Sequence, residues 1–190
     1  MPLLFLDCET YARPEIVREF AKDENPVKTV ATNPLLAQVV CVVMSDGGKW
    51  KSAFGRDERE ILLEVNATIR RDTVFVTFAG RSFDLPLIYH RMVANGIKPH
   101  DRIRDALGET RYRPECHLDL QELMSFHGAI KPSSLRSTCL AYGIKNPKAS
   151  CSGGSVQELV ESDRWDILEE YCRGDVQAVI DLYRKWIGAK

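Results

Sequence analysis

No apolar run in this sequence approaches the roughly 18 residues that a membrane-spanning helix needs. The first residues also lack the basic stretch and long apolar segment of a secretory leader. Neither sign of charge is in excess: 26 Lys and Arg stand against 27 Asp and Glu, for a net charge of -1. A global electrostatic attraction to nucleic acid or to a membrane surface is thereby excluded, and a polyanion would have to be met locally. The six cysteines are scattered, with no C-x-x-C pair, and the four histidines show no H-x-x-x-H spacing. That pattern argues against a disulfide scaffold and against structural zinc. Internal repeats and low-complexity tracts are absent as well. The expectation is a cytoplasmic protein with no membrane partner. With 190 residues, 44% of them hydrophobic, the chain can bury a sizeable core and reads as one domain over residues 1–190.

Short apolar runs, not long ones, carry the pattern. Leu3 to Leu6 is uninterrupted and suits a central strand buried on both faces. Residues 11 to 36 contain Pro14, Pro26 and Pro34 and read as an irregular insertion with a helical turn near Glu15 to Lys22. Val-rich residues 37 to 45, Gly47-Gly48 and residues 49 to 54 predict a hairpin. Asp57 is placed to cap a helix carrying Ile61, Leu62, Val65 and Ile69, and residues 73 to 80 predict another buried strand. A helix from Ser82 to Asn95-Gly96 follows, then a loop-like segment from 97 to 116 with Lys98, Arg102, Arg104, Arg111 and Arg113. Residues 117 to 187 read as mostly helical. A strand-rich first half followed by helices predicts an α/β domain.

Asp7 and Glu9 are two residues apart, so on a continuing strand both side chains share one face at the strand's carboxyl end. The same spacing at Glu58/Glu60 and Glu161/Asp163 falls in polar helical sequence, where solvent exposure explains it. At Asp7 and Glu9 two readings stand: a strand end emerging into water, or a pair whose repulsion a cation relieves. Asp84 follows the second apolar strand, at the start of a helix, after Gly80, which permits a tight turn. Near the end, Tyr171 and Asp175 share a helix face, with Gly174 inside that helix. Taken together, two strand ends and two helices supply carboxylates for a pair of hard divalent cations. Such a pair can activate a water and stabilise the leaving oxygen of a phosphodiester.

In this order, LFLDCET, FAGRSFDLP and YCRGD resemble the three motifs of the DEDD (DnaQ-like) superfamily of 3'-5' exonucleases, with D-x-E, N-G-x-x-F-D and the tyrosine form Y-x-x-x-D. The HLDLQELMS stretch fits relatives of the exonuclease domain of family B DNA polymerases. The resemblance implies an RNase H-like fold, with a mixed sheet of about five strands, the second antiparallel to the rest, flanked by helices. The fifth strand is to be sought between residues 100 and 118. It also implies two Mg2+ or Mn2+ ions held by Asp7, Glu9, Asp84 and Asp175, with Tyr171 orienting the water. Phe83, Gly80 and Thr10 would then meet the 3'-terminal nucleotide. The implied substrate is a single-stranded or frayed DNA end in a repair setting, with replication or repair proteins as partners. An exoribonuclease and a non-catalytic nucleic-acid-binding module of the same fold are the alternatives. One departure is Ala79, where the motif has Asn. Basic residues near Lys98 to Arg113, or Lys131, Arg136, Lys145 and Lys148, are candidates for backbone contact, Tyr112 and Tyr142 for base stacking, and residues 150 to 155 for a loop over the substrate.

Overall fold

The computed structural model describes residues 2–110, 112, 115–145 and 156–188. Arg111, Arg113, Lys148 and the proposed loop at 150 to 155 therefore lie outside the described residues. Strand β1 (Leu3–Tyr11) is followed by α1 (Pro14–Glu19) and α2 (Pro26–Ala31). The segment expected to be irregular thus holds two helices, because Pro14 and Pro26 open them at the one position where a missing N–H costs nothing. Asn25 caps α2 by accepting from Lys28 N. The hairpin is formed by β2 (Gln38–Ser45) and β3 (Trp50–Phe54), and Asp57 caps α3 (Glu58–Thr68) as its sequence predicts. Strand β4 (Val74–Thr77) is shorter than expected and leads to α4 (Asp84–Ala94).

The segment after α4 departs from a loop. It forms α5 (Asp101–Gly108), capped by His100, whose side chain accepts from Arg102 N, and buries Ile103 and Ala106. Too few apolar positions lie there among the arginines for a helical period to show. Strand β5 (His117–Asp119), too short to display alternation, is the fifth strand. The chain ends with α6 (Leu120–Met124), α7 (Leu135–Ala141), α8 (Val156–Glu161) and the long α9 (Trp165–Ile187). Among the described residues, no helix is long and apolar enough to cross a membrane.

The sheet order is β3-β2-β1-β4-β5. β2 runs antiparallel to both β1 and β3, whereas β4 is parallel to β1 and β5 is parallel to β4. Phe5, Val43 and Val76 pack on one face with Val176, Val179 and Ile180 of α9. Leu4, Leu6, Val42 and Phe75 pack on the other with Leu62, Val65, Leu85 and Ile88 of α3 and α4. The alternation puts odd-numbered residues of β1 under α9.

Glu58 is not the solvated acid its polar surroundings predict. It is 7% exposed and accepts from Arg91 Nη2 at 2.6 Å, Arg91 Nε at 2.9 Å, Asn95 Nδ2 at 2.9 Å and Val39 N at 2.7 Å. This group ties α3, α4 and the start of β2 together on the face away from α9. Arg91→Met would strand that carboxylate without its cation and is expected to cost about 3–5 kcal/mol in urea unfolding. An unchanged midpoint would show that Glu58 finds its compensation elsewhere.

Candidate active site

The two strands beside Asp7 differ in length, and that difference opens the site. β4 pairs with β1 only through Leu3–Val74, Leu4–Phe75 and Phe5–Val76. On the other edge β2 continues, with Asp7 opposite Val43 and Glu9 opposite Cys41, until the register shifts between Glu9 and Thr10. Asp7 and Glu9 therefore lie inside β1 rather than at its end, on the α9 face, with one edge of their strand released by β4. The Cys8 N–H is bonded by Asp84 Oδ1 at 3.1 Å. This bond fixes the first residue of α4 to β1. From α9, the Cys172 thiol approaches Asp7 O at 3.4 Å and Asp7 Oδ2 at 3.5 Å. Asp7, Glu9 and Cys172 offer ligand atoms that all lie within 4.8 Å of one another.

The electrostatics report the same convergence. Burial pushes the Asp7 carboxyl well above the usual carboxylate range, and Asp84, Asp175 and Glu9 add repulsion in that order. Burial likewise raises Asp84 to about 7, against the bonds it receives from backbone and from Cys8, with Asp119 adding repulsion. Asp84 and Asp175 are 5% and 4% exposed. Asp84 of α4 and Asp175 of α9 thus act on Asp7 beside Glu9, and protons or cations must offset the shared charge. Divalent cations with oxygen ligands fit that donor set.

The turn between β4 and Asp84 is held by a residue that lies outside the three motifs. Asp119, 2% exposed at the end of β5, accepts from Ala79 N and Arg81 N at 3.0 Å each and also caps α6 through Gln121 N and Glu122 N. The signal available in the sequence was an aspartate directly before a helix. Ala79 has φ 65°, the left-handed region that asparagine tolerates better than alanine. Part of what the motif's usual Asn supplies is therefore a backbone preference. Gly80 is compelled sterically, since a Cβ there would stand 2.4 Å from Thr77 Oγ1.

Of the predicted residues, Asp7, Glu9, Asp84 and Asp175 come together, and Tyr171, 3% exposed, stands one turn before Asp175 on the same face of α9. Glu9, Thr10 and Phe83 share a cavity of about 450 Å³ walled by Val27 and Ala31 of α2 and by Gln157. The Thr10 hydroxyl is spent on Ala31 O at 2.8 Å, so it anchors that wall. Gly80 does not line this cavity; it is buried against Thr77, and its carbonyl accepts from Leu85 N. Among the described basic residues after α4, Arg102 and Arg104 are engaged away from the site. Arg102 Nε donates to Thr73 O at 2.5 Å, just before the amino end of β4, and Arg104 pairs with Asp101. His117 is buried in β5 against Thr77 Oγ1 at 2.7 Å, and burial lowers its pKa to about 3.

A family model described as a predicted 3'-5' exonuclease related to the exonuclease domain of PolB matches residues 36–187. The chain belongs to this PolB-related exonuclease family. The match includes Asp84, Tyr171 and Asp175 and begins after β1. No curated protein matches the sequence. Among solved structures, the family B DNA polymerase of the hyperthermophilic archaeon Pyrobaculum calidifontis is similar with a TM-score of 0.69 at 20% identity, over 97% of this chain and 24% of that one. The zinc-bound complex of E. coli exonuclease I with single-stranded DNA has a TM-score of 0.58 at 15% identity, over 96% of this chain and 39% of that one. A product-bound exonuclease I gives 0.55 at 15% identity, over 95% and 42%. This member of the PolB-related family therefore has the RNase H-like fold, and it spans about a quarter of the polymerase and two fifths of exonuclease I.

Two outcomes follow for this family member without metal. A group whose folded pKa is raised favours folding below its unfolded pKa, and that contribution is lost as pH rises through the folded value. Asp7→Asn should thus be more stable than wild type in EDTA at pH 8, by at least about 1 kcal/mol, the worth of one pKa unit, with the gain shrinking toward pH 4. Referring both proteins to each other cancels the opposite slope contributed by buried His117. A pH-independent difference would mean that burial and the neighbouring carboxylates do not raise the Asp7 carboxyl. Separately, Ala79→Asn should raise stability by about 0.5–1 kcal/mol by relieving the left-handed backbone, read as a higher thermal midpoint.

Proposed function

We propose that residues 1–190 form one 3'-5' exonuclease domain of the tyrosine branch, removing nucleotides from the 3' end of single-stranded or frayed DNA. The observation that carries the reading is the meeting of Asp7 and Glu9 with Cys172 of α9 within 4.8 Å and with Asp84, bonded to the Cys8 N–H between them, where burial first and then Asp84, Asp175 and Glu9 push the Asp7 carboxyl above its ordinary range. Asp7, Glu9, Asp84 and Asp175 would hold two divalent ions, Mg2+ or Mn2+. When bound, such ions supply the Lewis acidity that makes water nucleophilic and that stabilises a departing oxygen.

The chain's own residues do the remainder. The cavity beside Glu9 takes the terminal nucleoside, with Phe83 and the α2 wall against its base and sugar. Tyr171, one turn before Asp175, orients the attacking water. The water oxygen bonds to phosphorus, and the bond from phosphorus to the 3' oxygen of the preceding nucleotide breaks. That oxygen leaves with a proton and the product is a nucleoside 5'-monophosphate. Deep burial of Asp84 and Asp175 keeps bulk water from relaxing the ligand positions. The exonuclease I complex with single-stranded DNA supports the choice of a single strand.

The test is a 5'-labelled oligonucleotide, DNA or RNA, incubated with and without Mg2+. A ladder shortening from the 3' end of DNA is expected, falling at least about 100-fold in Asp7→Ala, since even outer-shell metal partners are worth 10–100-fold. Shortening of RNA alone would select an exoribonuclease. Binding of both polymers without shortening would overturn the catalytic reading.

A further inference from the structure

We propose that the groove between α6 and α7 is the track for the strand upstream of the scissile bond, a binding site for single-stranded nucleic acid distinct from the terminal-nucleotide cavity. The inference rests on the exonuclease reading for its direction, though not for the existence of the site. The parallel ladder ends with Phe5 beside Val76, both on the α9 face. Two residues further along β1, Asp7 lies on the same face, and Phe78, which follows the end of β4, packs at the edge of the α9 core. Phe78 is also the inner end of a groove of about 170 Å³ that runs outward past Met124 and Ile130 to Lys131, Ser137 and Tyr142. The groove therefore opens from the residue that follows β4, on the face of the sheet that carries Asp7.

The chemistry of the lining selects the occupant. No acidic residue borders the groove; apolar and aromatic surface alternates there with hydroxyls and the exposed Lys131. Arg136 is exposed on the same α7. Among the described residues, neither Lys131 nor Arg136 takes part in a salt bridge, so both cations are available to phosphates. Tyr142 and Phe78 line the groove while half-buried against the α9 core, and Ile130 is 56% exposed. A phosphate backbone with splayed bases needs this combination of a cationic margin and aromatic platforms.

The other exits from the site do not offer it. Beyond the terminal cavity, the adjoining hollow that shares Asn25, Lys28 and Thr32 is bordered by Asp23 and Glu24, which repel phosphate. The arginine-rich segment near Arg102 lies at the opposite end of β4. Among the described residues, a strand whose 3' nucleoside fills the cavity by Glu9 thus finds in this groove a margin free of acids along which to leave the carboxylates.

Fluorescence anisotropy without divalent metal, using a labelled thymidine dinucleotide and octanucleotide, tests the groove apart from turnover. The octanucleotide should bind wild type more tightly. Tyr142→Ala should weaken it about tenfold, the equivalent of one stacked base, while Tyr142→Phe keeps the ring and the affinity. Lys131→Glu should weaken it also and flatten the dependence of log affinity on log salt by about 0.7 for each phosphate that the protein no longer neutralises. Dinucleotide binding should stay unchanged in all three variants. Equal weakening of both ligands, or no weakening of either, would overturn the groove assignment. Groove-dependent binding in this assay, together with no shortening of the oligonucleotide when Mg2+ is present, would uphold the groove while overturning the exonuclease reading.

Discussion

Asp7 is kept where burial and three neighbouring carboxylates all oppose its ionisation, and the rest of the fold is arranged so that it cannot move away. On one side β2 pairs with it through Val43; on the other β4 stops short, and Asp84 takes the Cys8 N–H. A strand that ended at Leu6 would let Asp7 and Glu9 turn outward into water. Because β2 holds β1 in extended form through both acids, their side chains stay beneath α9, in reach of Cys172 and Asp175. Crowded like charges are costly in an empty site, and the same crowding is what favours a hard dication there.

That frustration is carried by scaffolding well outside the motif residues. Asp119 gathers amide donors from the turn before α4 and from α6, so the position of Asp84 depends on β5. Gly80 lies so close to Thr77 that no side chain fits, and Ala79 holds a left-handed backbone in the same turn. On the opposite face, Glu58 and Arg91 lock α4 to α3 and β2. Each arrangement spends a buried polar group on holding a loop or a helix end, and each is satisfied by hydrogen bonds, as burial requires. The terminal cavity is walled instead by α2, which Thr10 ties to the end of β1 through Ala31 O.

Much of this architecture was legible in the chain because it rests on local signals. Uninterrupted apolar runs mark β1 and β4, the Val-rich run and Gly47-Gly48 mark the hairpin, and Asp57 marks the start of α3. The carboxylates stood out by their spacing after those runs. Other elements were hidden for physical reasons: α5 has too few apolar positions to show a period, and β5 is too short to alternate. In residues 11 to 36 the prolines read as breakers although they begin helices. Glu58 looked solvated because its partners, Arg91 and Asn95, are more than thirty residues away.

By itself the sequence determined which segments are buried strands, which apolar runs are followed by acids, and the order in which those acids recur, since these depend on neighbours within a few residues. Tertiary structure decided that Asp7 and Glu9 lie within β1, that Asp119 rather than a motif residue braces the turn before Asp84, and that Lys131 and Tyr142 share a groove with Phe78 whereas Arg102 is held at the other end of β4. Those outcomes turn on where β4 stops along β1 and on which helix faces meet at that edge. Strand pairing and helix packing join residues far apart in the chain, and the free energy that selects them belongs to the assembled core.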